Sequence, residues 1–182
     1  MTISYQAPDH LLTLEEWDAL PIDESRRLEL VEGVLLVSPR ARISHQEAVA
    51  TLVVALRAAL PAHLRAVPEA EVVVDDGPTP TVRVPDVVVL PASAVDDRPR
   101  CTAAEVVAAF EVLSPGTVRT DRIMKTAEYA EAGIAVYGIV DVGPPLRLTE
   151  LRLGDGGYER VAEHLGRARL GLGGGVEIDL GG

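Results

Sequence analysis

Two strand-like runs, each carrying one carboxylate inside an otherwise apolar stretch, constrain this chain more than any other feature. Val84 to Leu90 reads VPDVVVL and Val106 to Leu113 reads VVAAFEVL. Runs so dense in β-branched and small apolar residues predict strands covered on both faces, because a half-exposed strand would alternate. Burying a lone carboxylate there costs on the order of several kcal/mol unless it is paired or metal-bound. Asp86 and Glu111, on separate core strands, therefore call for one shared explanation. If the strands are neighbours, a divalent cation between the two acids supplies it. Hard oxygen ligands, few in number and leaving waters on the ion, are what magnesium prefers.

The surrounding pattern predicts a mixed α/β fold. Thr13-Leu14-Glu15-Glu16 has the form of a capping box, opening a short helix that Pro21 stops. Leu28 to Val37 (LELVEGVLLV) predicts a hairpin turning at Glu32-Gly33. Ser44 is placed to cap a long Ala/Leu/Val-rich helix ending at Leu60, before Pro61. Glu71 to Asp75 predicts a strand, Arg119 to Ala132 a helix stopped at Gly133, and Val136 to Asp141 (VYGIVD) a further strand. That strand–helix–strand order implies a right-handed parallel crossover. From Leu146 the alternation of polar and apolar residues, with a turn at Gly154 to Gly157, predicts an antiparallel hairpin. The ending LGLGGGVEIDLGG reads as weakly structured or as a last edge strand. The 182 residues suit one domain, with a core over about 12–141 and a β extension over about 142–182.

Composition narrows the chemistry. The net charge of −11 argues against a protein that coats duplex phosphate, which gains affinity by releasing counterions. It does not argue against a metal site, whose carboxylates count in the acidic total. Aromatics at 3% leave no platform for stacking single-stranded bases. A single cysteine, Cys101, rules out an intrachain disulfide and a cysteine zinc cluster, and its expected place in a loop away from any base gives it no nucleophilic role. The N-terminus lacks the pattern of a secretory signal and no apolar run reaches membrane length, so a soluble cytoplasmic protein is expected.

The helix after Glu111 carries Asp121, Lys125 and Tyr129 at i, i+4 and i+8, hence on one face. Lys125 follows Glu111 by a turn and one helical turn, so its ammonium can reach back over the strand end. Metal and ammonium together against a pentacoordinate phosphate describe phosphodiester hydrolysis. The plain alternative makes Asp121 a helix-start charge and Lys125 its i+4 partner on a solvated face. Arg40, Arg42, Arg119 and Arg122 are candidates for a basic rim.

Pro85-Asp86, Glu111 in EVLSPGT, Asp121 with Lys125 and Tyr129, and VYGIVD together resemble the Uma-type family of putative restriction endonucleases, in the PD-(D/E)XK nuclease superfamily. RRLELVEGVLLVSPRARISHQ resembles the same family's N-terminal hairpin and histidine. The resemblance implies a restriction-endonuclease-like core, a mixed sheet flanked by helices, with magnesium (or manganese in its place) and DNA as substrate. It also implies that Glu29 joins Asp86 and Glu111 as a third metal-binding acid and that His45 lies near the site; by alternation alone Glu29 faces solvent. Two departures stand out. Leu113 occupies the position two residues after the acid where the superfamily motif has its lysine, so that function passes to Lys125. Tyr137-Gly138 replaces the family's Tyr-Trp, which predicts a hole or a wetter edge beside that strand. A homodimer is the expected assembly for cutting two strands. The competing reading keeps the fold as a catalytically silent nucleic-acid or protein interaction module.

Overall fold

The computed structural model describes residues 8–21, 26–39, 41–114, 120–143 and 145–181, and the side chains of all of these but 120 and 121. Local chemistry accounts for most of its elements. Thr13 and Glu16 close the capping box that starts α1, Leu14–Asp18. β1 (Arg26–Val31) and β2 (Val34–Pro39) form the hairpin. Its two turn residues, Glu32 and Gly33, have φ of 49° and 79°, the type I′ conformation that matches strand twist. Gly33 is doubly required, since a Cβ there would lie 2.8 Å from the Cβ of Leu11. α2 (Ile43–Ala59) begins from Arg42 in extended backbone with no side-chain cap, so Ser44 falls inside the first turn instead of capping it.

The chain then forms β3 (Leu64–Pro68), β4 (Glu71–Asp75), β5 (Thr81–Arg83), β6 (Val87–Pro91), β7 (Arg100–Thr102) and β8 (Ala108–Val112). A π-turn over Thr120–Met124 leads into α3, Lys125–Glu131. β9 (Val136–Asp141), β10 (Arg147–Gly154), β11 (Gly157–Leu165), β12 (Arg167–Leu170) and β13 (Val176–Asp179) complete it. The Gly-rich ending is therefore a paired strand, β13 against β12. Cys101 sits in β7, not a loop, and burial pushes its thiol up to about 11. Among the described residues no helix is long and apolar enough to cross a membrane.

The strands make two mixed sheets, a small one ordered β2-β1-β5-β4-β7 and a large one ordered β13-β12-β11-β10-β9-β8-β6-β3. β8 and β9 are parallel, as a crossover through α3 requires, and β6 runs antiparallel to β8. The run from Val84 to Leu90, expected as one strand, is a strand only from Val87, and Val84 to Asp86 form a link, so Asp86 sits just before the strand and not within it. β5 ends at Arg83 in the small sheet and β6 begins at Val87 in the large one. Pro85 has no N–H to give a ladder, so the break between sheets falls there.

Alternation along the large sheet separates two cores. Val87, Val89, Phe110 and Val112 face Leu52 and Leu56 of α2, while Val88, Ala109, Tyr137 and Ile139 face Tyr129 of α3. Gly138 leaves no hole. It pairs with Phe110 across the strands, and a Cβ on it would sit 2.2 Å from the Phe110 ring. The ring of Phe110, fully buried, occupies the space that the glycine yields.

Candidate active site

Strand register explains how distant acids meet. Val87 lies opposite Phe110, so the next position outward sets Asp86 across from Glu111, on the same side of the antiparallel pair. In the small sheet Leu30 lies opposite Val82, which likewise sets Glu29 across from Arg83. Residues 84–86 link the two sheets, so the site forms where they join. Of the buried acidic and basic side chains (Asp, Glu, His, Lys, Arg) among the described residues, all except Glu150 are here: His45, Arg83, Asp86, Glu111 and Lys125.

Each core acid is held through one oxygen by neighbouring donors, and its second oxygen faces the same guanidinium. Asp86 Oδ2 accepts from the Val112 N–H at 2.7 Å and contacts His45 Nε2 at 3.1 Å. Its Oδ1 accepts from Arg27 Nη1 at 2.6 Å. Glu111 Oε1 accepts from Lys125 Nζ at 2.8 Å and from the Tyr129 hydroxyl at 2.9 Å. Its Oε2 lies 3.8 Å from Arg27 Nη2, which also donates to the Val84 carbonyl. One guanidinium thus spans the two acids.

Glu29 belongs to the lysine side of the cluster. Its Oε1 accepts from the Val84 N–H at 3.1 Å and lies 3.3 Å from Lys125 Nζ, and its Oε2 accepts from Arg83 at 3.1 Å. Arg83 in turn holds Glu128 of α3 in a fork of 2.7 and 2.6 Å. Lys125 is 4% exposed, so it does not stand on a solvated face. The side chain of Asp121, and Arg40, Arg119, Pro115 and Gly116, lie outside the described residues. Of the remaining rim candidates Arg42 is exposed at the start of α2, and Arg122 pairs with Asp141 at 2.9 Å.

The electrostatics follow from this packing. Burial pushes the Asp86 carboxyl up, but the bond to His45, the charge of Arg27 and the Val112 N–H together hold it well below the ordinary carboxylate value. Burial likewise opposes ionisation of Glu29, and Lys125, Arg27 and Arg83 outweigh it. The hydrogen bond to Asp86 raises the His45 pKa above 6.5, so His45 is readily the cation of that pair. Burial first, then the charge of Glu111, keeps Tyr129 protonated as a donor.

Among the described residues no three His, Cys, Asp or Glu side chains are grouped so as to hold a metal ion. The oxygens that Asp86 and Glu111 present toward one cation are a two-carboxylate set. That set fits magnesium, which takes one or two carboxylates and keeps several waters. Arg27, Arg83 and Glu128 were not legible as site residues. Each is a charged residue in an amphipathic element, the ordinary signature of a solvated face, and nothing in its own neighbourhood points inward.

Comparison with known proteins agrees with the fold. Residues 14–179 match the family model described as "Uma2: Putative restriction endonuclease". A search of curated proteins gave no match. Among solved structures the chain is similar to one titled a putative nuclease belonging to DUF820, from Anabaena variabilis, at a TM-score of 0.66 and 18% identity. The likeness covers 88% of this chain and 89% of that one. At that identity it establishes the shared fold.

Proposed function

Because this chain belongs to the Uma2 family of putative restriction endonucleases, we propose that it is a magnesium-dependent endonuclease hydrolysing phosphodiester bonds in DNA. The observation that carries this reading is the paired presentation of Asp86 Oδ1 and Glu111 Oε2 toward one cation beside a buried lysine. Asp86 and Glu111 are the ion's ligands. When bound, the ion lowers the pKa of a coordinated water and offsets charge on the phosphate.

The chain's own groups do the rest. The Val112 N–H and His45 fix Asp86, and Lys125 and Tyr129 fix Glu111, so neither acid needs to reorganise as charge develops. Glu29 holds Lys125 from its other side rather than binding the ion. The Lys125 ammonium donates to a phosphoryl oxygen as negative charge grows there. Overall, a water oxygen bonds to phosphorus, one P–O bond to a sugar oxygen breaks, and the water's proton ends on that leaving oxygen. Two such centres would be needed to cut both strands, for which a twofold homodimer is the simplest arrangement.

Purified protein is expected to cut plasmid DNA with magnesium and not with chelator. Asp86→Asn, Glu111→Gln and Lys125→Met should each lower the rate by about a hundredfold or more. Retention of wild-type rates by folded Asp86→Asn and Glu111→Gln variants would refute the assignment. A silent interaction module is favoured by the charge of −11. It predicts no heat of magnesium binding and no cleavage of DNA or RNA.

A further inference from the structure

Arg27 has no role in the reading above, yet its contacts are the most informative in the site. Its Nη1 lies 2.6 Å from Asp86 Oδ1 and its Nη2 lies 3.8 Å from Glu111 Oε2. Neither is the oxygen that accepts from the Val112 N–H, Lys125 or the Tyr129 hydroxyl. A divalent ion held by the same acids would need Asp86 Oδ1, and it would face a positive charge within contact distance. Like charges cannot share that position in a poorly solvated setting. The side chain is 23% exposed and borders a cavity of about 470 Å³, which Arg26, His45, Gln46 and Val53 also line. It therefore has space to leave the acids without unfolding β1.

We propose that Arg27 is the built-in counter-ion of the Asp86–Glu111 pair, which a divalent ion must displace, and that the displaced guanidinium then binds the phosphodiester of the substrate. This inference rests on the reading of Asp86 and Glu111 as ion ligands. Two physical arguments support the second half. A guanidinium moved off two carboxylates into a partly buried cavity needs another anion, and its planar fork matches a phosphate's oxygens. The cavity wall next to it carries Arg26, His45 and Gln46 beside the apolar Ala41, Val49, Ala50 and Val53, with Glu69 the one carboxylate among its lining residues, so cationic and donor groups there suit a phosphate that outcompetes Glu69. Ion binding and substrate binding then favour one another, because each removes an obstacle to the other.

The test uses the full chain and two readouts besides cleavage. In the first, manganese or calcium is titrated calorimetrically into wild type, Arg27→Ala, Arg27→Gln and Arg27→Lys without DNA. Removing the guanidinium is expected to tighten ion binding tenfold or more, with lysine in between. In a chelator Arg27→Ala should melt below wild type, and added ion should restore it. In the second, anisotropy of a labelled duplex with calcium present is expected to show at least tenfold weaker DNA binding for the alanine and glutamine variants. If Arg27→Ala does not fold, the near-isosteric glutamine variant decides both readouts. Ion affinity unchanged or weakened in the folded Arg27 variants overturns the counter-ion role, and unchanged DNA affinity overturns the phosphate role. Asp86→Asn separates this from the parent reading. If wild type binds ions and Asp86→Asn does not, a negative result for Arg27 sinks only this inference. If neither wild type nor any Arg27 variant binds an ion, both fall.

Discussion

Replacing Arg83 with methionine removes a guanidinium with no exposed surface and leaves an aliphatic side chain of similar reach. Two carboxylates lose a partner: Glu29, 13% exposed, and Glu128, 21% exposed. Breaking a buried ion pair from one side costs about 3–5 kcal/mol, most of it the charge left behind. Glu29 retains the Val84 N–H and Lys125, and Glu128 has some access to water, so the lower end, about 3 kcal/mol, applies here. For a domain of this size that corresponds to a fall in Tm of roughly 6–12 °C. Urea unfolding followed by circular dichroism should show it as a lower midpoint at unchanged slope. Adding Glu128→Gln to Arg83→Met should return about 1 kcal/mol, since a neutral amide has less to lose by burial. A loss under about 1 kcal/mol for the single variant, or no recovery in the double, would mean that Arg83 is not the keystone between the small sheet and α3.

Gly138→Ala would bring a Cβ to 2.2 Å from the Phe110 ring and should cost about 1–3 kcal/mol by overpacking. Phe110→Leu in the same chain should return part of that, and an unchanged melting temperature for the alanine variant would contradict the packing described. Glu29 and Asp86 both titrate below their ordinary values of 4.5 and 3.8. The unfolded chain therefore takes up protons there before the folded protein does, and their contribution, present above those values, is lost as the pH falls through them. Glu29→Gln is expected to flatten the decline of the urea midpoint between about pH 5 and 3; a slope equal to that of wild type would count against this.

Features governed by short-range rules were legible from the chain itself. The capping box at Thr13, the turn at Glu32-Gly33 and the strand Val136–Asp141 depend on backbone dihedrals and on a repeat of two or 3.6 residues, which neighbours in sequence set. Asp86 and Glu111 announced themselves because a charge inside an apolar run is anomalous wherever that run ends up. Glu29 did not, since alternation in β1 sends it to solvent unless something covers that face, and only a family resemblance marked it. Arg27 and Arg83 lay beyond any such rule. Their partners are 59 and 54 residues away, and the contacts exist because the chain leaves one sheet at Arg83 and enters another at Val87. The tertiary structure alone decided that junction, and with it which charges are buried, because a strand's pattern records that a face is polar but not what will be packed against it.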